Sequence, residues 1–200
     1  EAVLRASLGI PADRMVLLFV GRLAAEKNVE ELLALRKALG ERPVTLLLVG
    51  DGPHRQALEA RAAELELTAP DVIFAGQVAP DEVADWYRLG TVFVSASTSE
   101  TQGLTYAEAL AAGLPVLCRA DPCLDDVIRQ GENGWQYQTA ETFISHVEEL
   151  LRDPTLAADM GPAAMRSAEP FSAERFARRV EALYMDQISR RSVVRRGVPA

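Results

Sequence analysis

Short apolar runs alternate with helical stretches along most of this chain. Met15–Val20 (MVLLFV), Val44–Val49 (VTLLLV), Val72–Ala75, Thr91–Val94 and Pro115–Cys118 are almost wholly apolar, with Thr45 and Thr91 the polar exceptions, and Trp135–Tyr137 is a candidate sixth run. None is long enough for a helix, and none alternates with polar residues. That pattern predicts strands buried on both faces, as in a parallel sheet. Between them, Asn28–Leu39 carries Val29, Leu32, Leu33 and Leu35 on one stripe, and His54–Leu67 does the same with Ala57, Leu58 and Leu65. Pro80–Leu89 and Leu104–Ala112 continue the series. The βαβα order implies right-handed crossovers and an α/β, Rossmann-like, doubly wound parallel sheet of about six strands. Such sheets bind ligands beyond the carboxyl ends of their strands, which directs attention to the loops that follow each strand.

After Tyr137 the pattern turns helical, over Thr139–Leu151, Thr155–Ser167 and Ala173–Ile188. Residues 189–200 lack a helical period and read as a basic, flexible tail behind one domain spanning 1–188. The chain has 200 residues, 48% hydrophobic and 25% charged, enough for one well-packed α/β domain. No apolar run approaches the length of a membrane span. Glu1 stands where a start Met would, and no leader pattern follows, which suggests an excised domain in a cytoplasmic protein.

The net charge is −8, which argues against broad nucleic-acid binding. It is uneven: residues 174–200 hold seven Arg against Glu174, Glu181 and Asp186, a local +4 that leaves −12 on the remainder. A body this acidic must gather its cations locally to hold an anion. Cys118 and Cys123 have no second ligand pair, and His54 and His146 stand alone, so a metal site is not indicated.

The strand-end loops differ in how much they say. The first, GRLAAEKN (Gly21–Asn28), offers a glycine for close approach and two cations, Arg22 and Lys27, suited to phosphate oxygens. A solvated Arg and a helix-start Lys explain it equally. GDGPHR (Gly50–Arg55) lacks the third glycine of a dinucleotide fingerprint and reads as a turn, with Asp51 or Pro53 starting a helix. GQVAP (Gly76–Pro80) could edge a nucleotide base around Val78, or simply end with Pro80 at a helix start. In RADPCLDD (Arg119–Asp126), Asp125 and Asp126 could open the next helix.

The fourth loop is the informative one. SASTSETQGLTYAEALAAGLPV runs from hydroxyls through Glu100 and Gln102 into a helix whose first amides, at Gly103, Leu104 and Thr105, form a cradle suited to a diphosphate. Glu108 lies about one turn, roughly 6 Å, further along. Two carboxylates would repel a diphosphate unless hydroxyls lay between. A phosphate centre with a polyol on each side meets that need, which describes a nucleotide sugar. The plain alternative is a cap-like Glu100 and an exposed helix residue Glu108. No GxSxG or suitably spaced His supports a serine hydrolase.

Together these segments resemble the C-terminal, donor-binding domain of GT-B glycosyltransferases of family 4. The matching pieces are GRLAAEKN at 21–28, LLLVGDGP at 46–53, VIFAG at 72–76, Glu100-x7-Glu108 in SETQGLTYAEALAAGLPV, and ENGW at 132–135, covering about residues 1–185. The resemblance implies half of a GT-B fold and, in the intact enzyme, retaining transfer of a hexose from a nucleotide sugar without a metal or other cofactor. It implies that Gly21, Arg22 and Lys27 meet the diphosphate, that Glu100 and Gln102 lie at the donor sugar, that Gly103, Leu104 and Thr105 form the cradle, and that Glu108 takes the ribose. Arg22, Lys27 and Glu100 would be the catalytic residues, with Val78 at the base.

Many relatives read EGFGL where this chain has Glu100-Thr101-Gln102-Gly103-Leu104. The SETQGLTY wording is similar to that of bacterial diacylglycerol glucosyltransferases, pointing to a UDP-hexose donor, a lipid or glycan acceptor and peripheral membrane association. The acceptor-binding N-terminal half of such enzymes has no counterpart here, so the isolated chain is expected to transfer nothing. A GT-B-fold nucleotide-sugar epimerase and a non-catalytic nucleotide-binding module are the competing readings.

Overall fold

A computed structural model describes residues 2–97 and 103–196, with side chains through residue 188. After a short helix, α1 (Ala2–Ser7), the order is β1 (Met15–Val20), α2 (Val29–Ala38), β2 (Val44–Val49), α3 (Arg55–Glu64), β3 (Val72–Gly76), α4 (Val83–Tyr87) and β4 (Val92–Ser95). There follow α5 (Leu104–Ala111), β5 (Val116–Arg119), β6 (Gly134–Tyr137), α6 (Ala140–Arg152), α7 (Leu156–Ala168) and α8 (Ala173–Arg196). All six strands pair in parallel, in the order β3-β2-β1-β4-β5-β6.

The unbroken apolar runs are explained by cover on both sides. Met15, Leu17 and Phe19 pair in register with Val44, Leu46 and Leu48, and this parity joins Val29, Leu32 and Leu33 of α2 and Phe143 and Val147 of α6 in one buried cluster. Residues of the other parity, Val16, Leu18, Leu47, Phe93 and Val116, are equally buried. A strand with water on either face would have carried polar residues at every second position.

The loops after β1 and β2 cross almost in contact. Gly21 N–H donates to the Val49 carbonyl at 2.9 Å, Leu23 N–H to Asp51 at 2.9 Å, and His54 N–H to Leu23 at 3.0 Å. A Cβ on Gly52 would sit 2.3 Å from the Leu23 carbonyl oxygen, and one on Gly50 1.9 Å from that of Gly21. The GDG glycines thus serve backbone packing between loops, in line with the turn reading.

At the opposite end of the sheet, Asp71 gathers two arginines. Arg36 of α2 donates to it at 2.6 Å and to the Gly40 carbonyl at 2.9 Å, while Arg14 donates to Asp71 and to the Val44 carbonyl. Arg36 is 1% exposed, and burial pushes its pKa down while the Asp71 charge opposes that shift. The cluster ties the starts of β1, β2 and β3 to α2.

Several local expectations change. Pro80 lies in a turn, not at a helix start: Glu82 N–H bonds to the Ala79 carbonyl, closing a four-residue turn before α4 begins at Val83. Asp125 and Asp126 start no helix. Asp121 instead caps a single 3-10 turn, Pro122–Leu124, by accepting from Cys123 N–H at 2.9 Å. His146 is half-buried, stacked on Trp135 with ring centroids 5.1 Å apart.

The chain divides into units at 1–167 and 168–200. The second consists chiefly of α8, which runs to Arg196 instead of stopping at Ile188. Nothing between those positions breaks a helix, and Gly197 and Pro199 come only later.

Asp71→Ala would leave Arg36 buried without its counter-charge, the costly way to break such a pair. Because Asp71 is one-third exposed, a loss of about 2 kcal/mol is expected, read as a lower urea midpoint. Adding Arg36→Met should recover most of it. Gly52→Ala should cost more than an ordinary surface substitution, since backbone must move; an unchanged midpoint would contradict the close crossing.

Candidate functional site

Strand order creates the site. β1 pairs with β2 on one side and β4 on the other, so the crossovers leave in opposite directions at β1 and β4. The carboxyl ends of β1 and β4 therefore mark the switch point, the place at which open α/β sheets bind ligands. Those two loops are GRLAAEKN and SASTSETQGLTY, the pair that carries most of the predicted site.

On the β1 side, the backbone turns at Gly21 and enters a 3-10 turn, Ala25–Lys27, that ends on Asn28 in a left-handed conformation (φ 47°). Ser97 Oγ, just past β4, donates to the Glu26 carbonyl at 3.3 Å and so joins the two loops. The Arg22 guanidinium is 67% exposed and donates to Glu26 at 2.6 Å. A backbone hydrogen bond, followed by the bond from Arg22, holds the Glu26 carboxyl below its ordinary pKa. An exposed pair of this kind contributes little to stability, so a diphosphate can compete for the guanidinium. Lys27 is half-buried on the same turn.

Beneath this turn lies a network that sequence reading missed. Glu31 accepts from Asn28 Nδ2 at 2.7 Å, from Arg119 at the end of β5 at 2.7 Å, and from the Tyr137 hydroxyl of β6 at 3.0 Å. One carboxylate therefore fastens the Lys27-bearing turn to two strands beyond the switch point. Burial, then the Glu31 charge, pushes the Tyr137 phenol far above its ordinary range, which keeps it a donor.

On the β4 side, α5 starts from Gly103 in a left-handed conformation (φ 57°, ψ 32°), a geometry glycine adopts without strain. The first-turn amides at Leu104 and Thr105 have no intrahelical acceptors and lie at the switch-point end of the helix. Leu104 is exposed, Thr105 half-buried, and Glu108 exposed one turn on. The buried Tyr87 hydroxyl of α4 donates to Glu108 Oε2 at 2.8 Å. Only the presence of Tyr rather than Phe in a buried stripe could have signalled this, because a buried hydroxyl requires a partner.

A cleft of about 410 Å³ opens along the carboxyl ends of β1, β2 and β3, lined among others by Gly21, Arg22, Gln77, Val78 and Val83. The structure thus brings Gly21, Arg22 and Val78 together. It places Lys27 on the adjoining turn and Gly103, Leu104, Thr105 and Glu108 across the switch point. Glu100 and Gln102 lie outside the described residues. A second cleft of about 420 Å³, beside Arg14, Arg36 and Asp71, belongs to the structural cluster at the other end of the sheet.

Comparison with known proteins agrees with this geometry. The family model for glycosyl transferases group 1 matches residues 1–167. The chain is 33% identical over 189 residues to an alpha-monoglucosyldiacylglycerol synthase of Acholeplasma laidlawii, covering 94% of the chain and 47% of that protein. It is 38% identical over 189 residues to the Streptococcus pneumoniae synthase of the same name, covering 92% and 42%. The chain therefore spans about half the length of these relatives. Among solved structures, a sucrose-phosphate synthase from Thermosynechococcus elongatus superposes with a TM-score of 0.82 at 30% identity, over 94% of this chain and 49% of that one. Anabaena HepE, solved with UDP and glucose, superposes at 0.76 and 21% identity over 94% and 51%, and supports the fold. The sheet is that of GT-B glycosyltransferases, and the chain belongs to the glycosyl transferases group 1 family.

Proposed function

We propose that this chain is the C-terminal, nucleotide-sugar-binding half of a retaining GT-B hexosyltransferase of family 4, with a UDP-hexose as donor. The observation that carries the reading is the pairing of β1 with β4, which sets the Arg22–Lys27 turn opposite the α5 N-terminus and Glu108. Cations and helix amides would then flank a diphosphate bound at that switch point. Glu108 would take the ribose hydroxyls and Val78 would edge the base, a reading supported by the cleft that Val78 lines. Glu100 and Gln102 remain the proposed contacts to the sugar, with Glu100 grouped with Arg22 and Lys27 as catalytic residues.

In the intact enzyme, charge develops on the departing nucleoside diphosphate as the anomeric bond breaks. Arg22, Lys27 and the amides of residues 103–105 would stabilise that charge. The acceptor site would lie in the half of the relatives that this chain does not span. Two relatives are named as diacylglycerol glycoside synthases, which favours a membrane lipid acceptor and a peripheral position at the cytoplasmic face. A UDP-bound neighbour favours uridine. Metal independence stays part of the proposal, with transfer and binding expected to survive EDTA.

Calorimetry of the chain against UDP, GDP, ADP and their hexoses tests the site. UDP should bind most tightly, and Arg22→Ala with Lys27→Ala should weaken UDP by at least about tenfold, as expected for lost charge-assisted bonds. Undiminished binding in that double variant would overturn the phosphate assignment. Undiminished binding in Glu108→Ala would favour a module that binds nucleotide by other means. The isolated chain should show no hexose transfer to diacylglycerol in vesicles, and measurable turnover would refute the half-enzyme reading.

A further inference from the structure

Glu108 stands on the exposed surface of α5, and a free glutamate there would sample many rotamers. A contact to ribose would have to select one of them at an entropic cost. The structure supplies a fixed donor that selects it in advance. The Tyr87 hydroxyl meets Glu108 Oε2 at 2.8 Å, whereas its next acceptor, the Thr105 carbonyl, is at a weak 3.4 Å. The carboxylate is thus the main partner of this phenol.

The constraint runs from Tyr87 to Glu108, as the surroundings of the two groups show. Tyr87 is 2% exposed, and its ring lies 6.2 Å from that of Phe93 on β4. Phe93 in turn meets Tyr106 edge-on at 5.5 Å, and the Tyr106 hydroxyl donates to Ser95 at 2.8 Å. Three rings anchored on one strand leave the Tyr87 hydroxyl little freedom. Burial, then the Glu108 charge, pushes the phenol well above its ordinary range, so it stays protonated and can only donate in this pair. An ionised carboxylate has about four acceptor positions, so one taken by Tyr87 leaves room for a diol.

We propose that Tyr87 is a positioning residue for nucleotide recognition: its buried hydroxyl fixes the Glu108 carboxylate in the orientation that receives the ribose hydroxyls of a nucleoside diphosphate. This rests on the reading of Glu108 as the ribose contact. The role is distinct from a purely structural one, in which Tyr87 would merely satisfy its own hydroxyl while filling the core.

Calorimetry with UDP and 2′,3′-dideoxy-UDP on the parent chain, Tyr87→Phe, Glu108→Ala and the double variant separates the two. Phe keeps the ring against Phe93, and a thermal melt verifies that each variant is folded. The parent should prefer UDP. Tyr87→Phe should weaken UDP by about tenfold, in line with a hydrogen bond to a charged group, and leave the dideoxy ligand unchanged. In the Glu108→Ala background the same change should have no further effect, because the coupling passes through that carboxylate. Equal weakening of both ligands, a further loss in the Glu108→Ala background, or an intact preference for UDP in Tyr87→Phe would overturn the role of Tyr87 alone. A parent that binds UDP no better than its dideoxy analogue, or not at all, would overturn the ribose reading itself, and Tyr87 would fall with it.

Discussion

Parallel pairing of β1 with both β2 and β4 is the constraint from which the rest follows. Parallel neighbours require crossovers, and right-handed crossovers that leave on opposite sides of β1 bury both faces of the sheet. Burial makes every strand an apolar run and moves the polar chemistry to the strand ends. It also makes the carboxyl edge between β1 and β4 the switch point of the sheet. A glycine turn with two cations and a helix N-terminus can face each other there without crowding.

The chain is acidic, yet its proposed ligand is an anion, and the structure reconciles these locally. Arg22 is paired with Glu26 through a weak, exposed bond, so the pair keeps the arginine near the switch point without sequestering it. Where charge is buried the arrangement differs. Arg36 is enclosed and shares Asp71 with Arg14, a cluster that serves the fold because its loss would strand a charge. Arg22 and Arg36 thus differ in role as they differ in exposure.

The sequence made the strands, the doubly wound class and the glycine-bearing loops legible because period and turn chemistry are local properties. Strand bounds shifted by a residue or so, as in Val92–Ser95 against the expected Thr91–Val94. Pairings between distant segments were not legible. Nothing near Glu31 announces that Arg119 and Tyr137, 88 and 106 residues away, will converge on it. Pro80 misled because proline suits both a helix start and a turn, and the hydrogen bonds of Ala79 and Glu82 decided for the turn. Helix α8 outran its expected end because the Arg-rich stretch after Ile188 lacks an apolar stripe, although it still has good helix propensity. Residue identities named Arg22 and Glu108 as candidates, and only the fold showed that Glu26 and Tyr87 hold them.

The holding groups share a physical character. Tyr87 and Tyr137 are buried phenols, each donating to a carboxylate that belongs to a loop or helix end at the switch point. A phenol joins a large apolar body to one directed donor, so it can be fixed by core packing and still act at a boundary. Burial keeps both protonated, and each therefore imposes a direction on its glutamate without adding charge beside an anionic ligand. A lysine in either place would neutralise the carboxylate it meets, and an amide would bind it less definitely because it can turn over. Two tyrosines, one on α4 and one on β6, let the hydrophobic core orient the carboxylates they meet, and this links the packing of the sheet to the recognition expected at its edge.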